Sequence, residues 1–450
     1  MQQIDFSQGS IRRRILAVAT PMLIAQLLNL LYNIVDRIYI GKIPGEGTLA
    51  LASIGLCFPF VTLITAFANL FGLGGAPLCA MARGKGNREG AQGIMVNAGF
   101  MLLLSGAVLT VLGIAFHRPL LYLFGASEVT YPYASSYIVI YLIGTLCVML
   151  SLGLNPYINC QGFARTGMLT VALGAAANIV LDPIFIFALR LGVRGAAIAT
   201  VLSQFLPAAW VVKFLTGKKA ELKLDFRGFR PDCQCIQRIT VLGIASFVMS
   251  FTDTLVQVAC NATLRNFGGD LYISVMTVLN SVHQIAQTPV LAIADGASTA
   301  ISYNYGAGLY RRTRDAIRFM TQIAIGYTML VWMLVSLFPA LFIRIFNQDT
   351  ELVAAAVPAL HIYFFGFVMM AFQYSGQSTF RALGRAKYAV FFSLLRKAFI
   401  VVPLTLLLPY CWNLGVSGVF AAEPVSNCIG GLACYFTMRH VVMPELKMEN

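Results

Sequence analysis

Long apolar runs follow one another along the chain, separated by short polar stretches. They fall near 15–40, 50–82, 92–116, 134–160, 168–189, 195–215, 239–264, 273–302, 318–343, 354–380, 387–409 and 415–438. Each approaches or exceeds the roughly 20 residues that carry an α-helix across a bilayer core. Membrane barrels use alternating segments of about 10 residues, so strands do not account for these runs. The pattern predicts an all-α polytopic membrane protein with twelve transmembrane helices.

The one sizeable polar interruption is Gly217–Arg238, "GKKAELKLDFRGFRPDCQCIQR". It divides the chain into an N-lobe over 1–216, a cytoplasmic linker over 217–238 and a C-lobe over 239–450, six spans on each side. The halves share a template. Gly84 and Gly86, at the exit of the second span, match Gly306 and Gly308 at the exit of the eighth. The same offset carries Tyr141 to Tyr363, Gly144 to Gly366 and Gly162 to Gly384. One residue further on in register, "LGVRG" (Leu191–Gly195) meets "LGVSG" (Leu414–Gly418). Near-constant spacing of this kind indicates tandem duplication. Six spans is an even number, so both lobes run the same way through the membrane and are expected to be related by a pseudo-twofold axis along its normal. Secondary transporters built from parallel repeats share this plan and rock around a central site.

Composition agrees with membrane embedding: 58% of residues are hydrophobic, 11% are charged, and mean hydropathy is +0.76. Soluble domains carry about 25% charged residues. The net charge of +14 would suggest a polyanionic partner, but the distribution of charge argues otherwise. With both termini cytoplasmic, the basic residues at or beyond the outer ends are Arg37, Lys42, Arg118, Arg190, Arg194, Arg265 and Arg344; the remainder fall on the cytoplasmic side. This is the positive-inside bias. We therefore expect a multi-pass monomer of the cell (cytoplasmic) membrane, partnered by lipid and not by nucleic acid. Residues 1–14 lack a signal-peptide cleavage pattern, so the first run is expected to stay as a span. The ten cysteines are scattered, and the Cys233-x-Cys235 pair has no complement for a zinc site; all are expected to be reduced, structural thiols.

Polar residues inside the spans form stripes. On the first span Gln26, Asn29, Asn33 and Asp36 recur at steps of three and four, which places them on one helix face, with Tyr32 beside them. Asn178 and Asp182 stack likewise on the fifth span. Thr200 lies on the sixth and Asn155, before Pro156, on the fourth. Two carboxyls among amide and hydroxyl oxygens make an oxygen cluster suited to a proton or a small hard cation such as Na⁺. The alternative is that Asp36 pairs with Arg37 or caps a broken helix, but neighbouring residues on a helix point about 100° apart. The second half carries Asp253, Gln257 and Asn261 on the seventh span, Asn280, Gln284 and Gln287 on the eighth, and Gln373 and Gln377 on the tenth. These apart from Asn261, with Gln26, Asn29, Tyr32, Asn33 and Asn155, are the candidates for a substrate cavity. Asp253 is balanced between that role and satisfying neighbouring amides. Asp295 is expected at a helix end or gate, His283 and His361 are expected to be hydrogen-bonded interior histidines, and the role of Glu423 is open. Pro21 removes a backbone hydrogen bond from the first span and is a candidate hinge that responds to the charge on Asp36.

"PMLIAQLLNLLYNIVDRIYIGK", "NIVLDPIFIF" (Asn178–Phe187) and "GASTAISYNYGAG" (Gly296–Gly308) resemble the multidrug and toxic compound extrusion (MATE) transporters, most closely their bacterial MepA-like branch. The resemblance runs over essentially the whole chain. It implies cation-driven efflux of amphipathic, often cationic, organic compounds, with H⁺ or Na⁺ bound by Asp36, Asn178, Asp182 and Thr200. Asn155 falls on a neighbouring cavity position, and Asp253 where another branch carries a seventh-span Glu. The tenth span, "FQYSGQSTFRALG", lacks the acid of that branch, and "IADG" around Asp295 departs from the usual Gln-Gly.

The expected function is thus an H⁺- or Na⁺-coupled antiporter of drug-like compounds, a xenobiotic exporter of the kind that confers antibiotic resistance. It would use no cofactor and no resident metal. A lipid-linked oligosaccharide flippase would instead need a cationic cluster inside its cavity; most Arg and Lys residues lie at helix ends, with Arg396 and Lys397 the exceptions. An enzyme is disfavoured, because the sequence offers no His-rich ligand set, no nucleophile with a base, and no phosphate-cradling loop.

Overall fold

The computed structural model describes residues 3–44, 46–346, 348–411 and 414–448, and it is helical, with no strand among them. In chain order the helices are α1 (Ile11–Gly41), α2 (Gly47–Gly55), α3 (Phe58–Gly84), α4 (Arg88–Leu123), α5 (Tyr131–Ile143), α6 (Thr145–Cys160), α7 (Ala164–Pro183), α8 (Gly192–Thr216) and α9 (Cys233–Gly306). Then follow α10 (Tyr310–Leu337), α11 (Pro339–Arg344), α12 (Thr350–Phe364), α13 (Met369–Ala382), α14 (Ala386–Leu394), α15 (Val402–Leu407) and α16 (Val416–Met448). A π-helical turn, Ile184–Ala188, extends α7, and a second, Leu395–Val401, joins α14 to α15.

Eight of these stretches are long and apolar enough to cross a membrane singly, and the bent pairs α5/α6 and α12/α13 make ten. The other two long arms, residues 270–306 and α16, are diluted by polar side chains such as Asn280, Gln284 and Gln287 in one and Glu423 and Asn427 in the other. Together they make up the twelve-span plan. The expected seventh and eighth spans are two helices, the arms of α9, which break at Gly269, whose φ of 66° is open to glycine and strained for other residues.

The chain falls into two compact units. Unit 1 comprises Met1–Asp5 and Pro21–Phe247; unit 2 comprises Phe6–Thr20 and Val248–Asn450. The partition thus passes through α1 at Pro21, which lies buried within an unbroken helix.

Within each unit the duplicated template is visible. The fourth and tenth spans are bent by 55° and 49°. The bends fall at Gly144 and beside Gly366, the pair matched by sequence offset. A methyl group on Gly144 would lie 2.7 Å from the Val201 side chain, and one on Gly366 would lie 2.6 Å from the Pro424 carbonyl oxygen. Val201 and Pro424 are themselves matched positions. Each bend therefore exists where a glycine lets one span close on the sixth span of its own unit. The left-handed turns repeat as well: Gly86 and Gly308 have φ of 75° and 71°, Gly192 and Gly415 of 54° and 52°. The π turns in the fifth and eleventh spans do not share a register, and this is where the two units diverge chemically.

Local chemistry sets the helix starts. The Asn87 side chain accepts the Gly90 amide (2.8 Å) at the head of α4. Asp232 accepts those of Gln234 (2.9 Å) and Cys235 (3.3 Å) at the head of α9, so that helix begins at Cys233, directly after the polar segment 217–232. Such caps satisfy amides that have no partner within the helix.

Candidate functional site

In unit 1, α1 and α7 bring the carboxyls of Asp36 and Asp182 close enough to act on each other directly. Asn178, one turn before Asp182 on α7, donates its side-chain amide to Asp182 Oδ1 at 3.1 Å. Asn178 and Asp182 are almost fully buried. One oxygen of each member, Asp36 Oδ1, Asp182 Oδ2 and Asn178 Oδ1, is buried with no hydrogen-bond partner. Ionised carboxylates can only accept hydrogen bonds. Two unit charges about 4 Å apart cost roughly 4 kcal/mol at an effective dielectric of 20. The arrangement therefore calls for a positive species, a proton or a small cation, among these oxygens.

Asp36 opens onto a cavity of about 280 Å³ within unit 1, which Tyr32, Asn33, Tyr137, Tyr141, Thr200 and Gln204 also line. Arg37 does not form an ion pair with Asp36 among the described residues; its guanidinium lies 5.1 Å from the centre of the Phe58 ring. The permanent Asp36–Arg37 pair is thereby set aside, as the angular separation of helix neighbours requires. Thr200 reaches the cavity but spends its hydroxyl proton on the Ala196 carbonyl (2.9 Å), leaving oxygen lone pairs free to accept. Asn33 donates back to the Asn29 carbonyl (2.6 Å), Asn29 is exposed and Gln26 half-buried. Asn155 donates to the Gly167 carbonyl at 3.3 Å, and its Oδ1 is orphaned. The aromatic wall of Tyr137 and Tyr141, and Gln204, which accepts from Ser151 (3.2 Å), were not singled out from sequence as cavity residues; Tyr141 entered only as the repeat match of Tyr363. Their signal was weak because tyrosines are ordinary in membrane helices.

Unit 2 gathers its polar residues differently. Asn280 donates to Gln257 (3.0 Å), Tyr363 donates to Asn280 (3.2 Å), and Gln257 donates to Asn261 (3.3 Å), an amide chain across three spans. Tyr374 donates to Gln287 (3.3 Å) and Gln373 to Gln377 (3.3 Å), while Gln284 stands exposed. His283 is ringed by Tyr363, Phe364 and Phe367, its Nε2 without a partner, and His361 Nε2 meets the Ser336 carbonyl oxygen at 3.0 Å.

Two expectations change here, and Arg396 and Lys397, the interior exceptions noted in the sequence, find partners. Among the described residues Asp253 pairs with Lys397 at 3.2 Å, and no neighbouring amide bonds to it. Asp295 lies well inside the 270–306 arm, 3.6 Å from Arg381, and not at a helix end. Arg396 and Lys397 do not form a free cationic cluster, because Glu423 pairs with both, at 3.0 Å and 3.3 Å, and Asn427 accepts from Arg396 at 2.8 Å. The π turn on which they sit lets two consecutive residues address one carboxylate, a register that heptad or 3.6-residue reasoning does not anticipate.

A family model described as MatE matches the chain twice, over residues 21–184 and 245–407. The "Multidrug export protein MepA" of Staphylococcus haemolyticus (strain JCSC1435) is 23% identical, covering 97% of this chain and 95% of the relative. The "FAD transporter" of Shewanella oneidensis is 25% identical, covering 96% of each. Among solved structures, one described as the outward-facing conformation of a multidrug resistance MATE family transporter of the MOP superfamily superposes with a TM-score of 0.93. It is 23% identical and covers 100% of this chain and 99% of its own, a likeness of fold.

Proposed function

Because this chain belongs to the MatE family, we propose that it is a cation-coupled antiporter that exports amphipathic, often cationic, organic compounds from the cell by alternating access of its two lobes. The observation that carries this proposal is the facing Asp36–Asp182 pair, with its orphaned oxygens beside a cavity that Asp36 itself lines. A carboxyl pair of this kind holds a positive charge in one state and must exchange it to release the charge in another. That is what coupling to H⁺ or Na⁺ requires. Asn178 and Thr200 complete the oxygen set, and Pro21, in the helix that carries Asp36, is the candidate hinge. Both termini face the cytoplasm, the membrane is the cell membrane, and the protein works as a monomer. No catalytic chemistry and no resident cofactor are assigned to it.

A lipid-linked oligosaccharide flippase finds less support: the interior cations Arg396 and Lys397 are already matched by Glu423 and Asp253. The test is dye efflux in inverted membrane vesicles under an imposed pH gradient or an imposed Na⁺ gradient. Asp36→Asn should abolish gradient-driven movement of dye; equal efflux by parent and variant would remove the acid pair from the mechanism. Movement driven by one gradient and not the other identifies the coupling ion.

A further inference from the structure

Arg396, Lys397, Glu423 and Asp253, four charged groups of unit 2, differ sharply in how they are held. Arg396 and Glu423 are sealed, with 5% and 6% of their side chains exposed. Arg396 also meets Asn427, and its backbone carbonyl accepts from Ser426 at 2.9 Å. Lys397 is 12% exposed and bridges two carboxylates, Glu423 at 3.3 Å and 3.5 Å and Asp253 at 3.2 Å. Asp253 is the outlier: its side chain is 50% exposed, and Lys397 is its one ion-pair partner among the described residues. One turn along the same face, the amide of Gln257 is already engaged with Asn261 and Asn280.

From this asymmetry we infer that Asp253 is the receptor for the positive charge of an exported organic cation, and that Lys397 is a tethered surrogate occupying that position when no substrate is bound. The carboxylate is the more accessible of the two groups, because the ammonium is 12% exposed and lies between two carboxylates. When an organic cation pairs with Asp253, Lys397 loses one carboxylate and keeps the other, so its charge is never stranded. Displacement by an anion is unfavourable: it would have to reach an ammonium that is 12% exposed and pass two carboxylates. Arg396 acts as a positioning residue, since it holds Glu423 where Lys397 can fall back on it. The exchange forms and breaks ion pairs only. It also tunes selectivity, because a ligand must outcompete a tethered ammonium, which favours cations with apolar bodies that gain burial as well as charge pairing.

This inference rests on the export function proposed above, and binding measurements test it separately from coupling. The probes are tetraphenylphosphonium and tetraphenylborate, alike in shape and opposite in charge, titrated into the purified full-length protein in lipid nanodiscs. Lys397→Gln should tighten tetraphenylphosphonium binding about two- to fivefold, the worth of removing a partly exposed competing ion pair. Asp253→Asn should weaken it by about fivefold or more, and Lys397→Gln should then have no further effect in that background. Efflux by Asp36→Asn tests the coupling proposal on its own, whereas the Lys397 and Asp253 titrations, made in protein with Asp36 intact, decide this one, which separates the two proposals. The inference is overturned if Lys397→Gln leaves tetraphenylphosphonium binding unchanged or weaker, if it acts equally with and without Asp253, if parent and variant both fail to bind the cation, or if the parent prefers tetraphenylborate. Monodisperse elution and unchanged thermal unfolding of each variant exclude misfolding as the cause.

Discussion

Replacing Asp182 by Asn keeps the shape of the side chain and an oxygen that can still accept from Asn178 at 3.1 Å, but it removes one of the two facing carboxyls. Asp182 is 0% exposed, so the loss is not made up by solvent. The repulsion that an ionised pair would suffer, roughly 4 kcal/mol at an effective dielectric of 20, no longer sets which charge states the site can hold. Asp36 is then the one carboxyl left in the site, and the link between cation occupancy and conformation is broken. The size of the functional loss follows from the driving force. One charge moving through 100 mV supplies about 2.3 kcal/mol, and one pH unit adds about 1.4 kcal/mol. The parent can therefore sustain a gradient of about 500-fold per proton for a neutral substrate and, because one-for-one exchange of H⁺ for a monocation moves no net charge, about 10-fold for an organic monocation. Asp182→Asn should sustain a ratio near one while still binding substrate, read as steady-state dye accumulation in inverted vesicles under both gradients. An Asp182→Asn protein that built the parent's gradient would refute the acid-pair mechanism outright.

Other outcomes follow from the packing. Gly366→Ala puts a methyl group 2.6 Å from the Pro424 carbonyl oxygen and should cost about 1–3 kcal/mol, whereas Gly326→Ala, whose methyl would meet nothing within 4 Å inside α10, should gain up to about 1 kcal/mol; thermal unfolding in detergent measures both. Arg396→Leu leaves Glu423 buried with Lys397 alone and should destabilise by about 3 kcal/mol, with part of the loss recovered when Glu423→Leu is added; if the double variant proved worse than the single one, the pairing would be misassigned. In the segment after α8, burial disfavours ionised Glu221, but the guanidinium of Arg83, with Gln3 and Arg88, outweighs it and holds the carboxyl below its ordinary range. The lowered value means that this stabilisation is present above the unfolded carboxyl pKa of about 4.3 and is lost as pH falls through the folded value. Glu221→Gln should lower the unfolding temperature at pH 7 and flatten its decline below pH 5.

Much of the molecule was legible in its letters because a membrane leaves few options. A backbone in hydrocarbon must satisfy its own hydrogen bonds, so apolar runs from Ile15 onward can only be helices. The same solvent makes Asp36 and Asp182 conspicuous, and helical spacing alone puts Asn178 beside Asp182. Duplication was readable too, from glycines such as Gly86 and Gly308, since a left-handed turn tolerates little else. What spacing could not supply was pairing across spans. That Asp36 meets Asp182, that Asp253 meets Lys397, and that Glu423 holds both Arg396 and Lys397 depend on which helix faces come together. That choice is made by side-chain packing summed over a whole unit and by a π turn that shifts the register of one helix. The bends at Gly144 and Gly366 belong to the same class. Each glycine was visible, but only the close approach of Val201 or Pro424 gives its missing side chain a purpose.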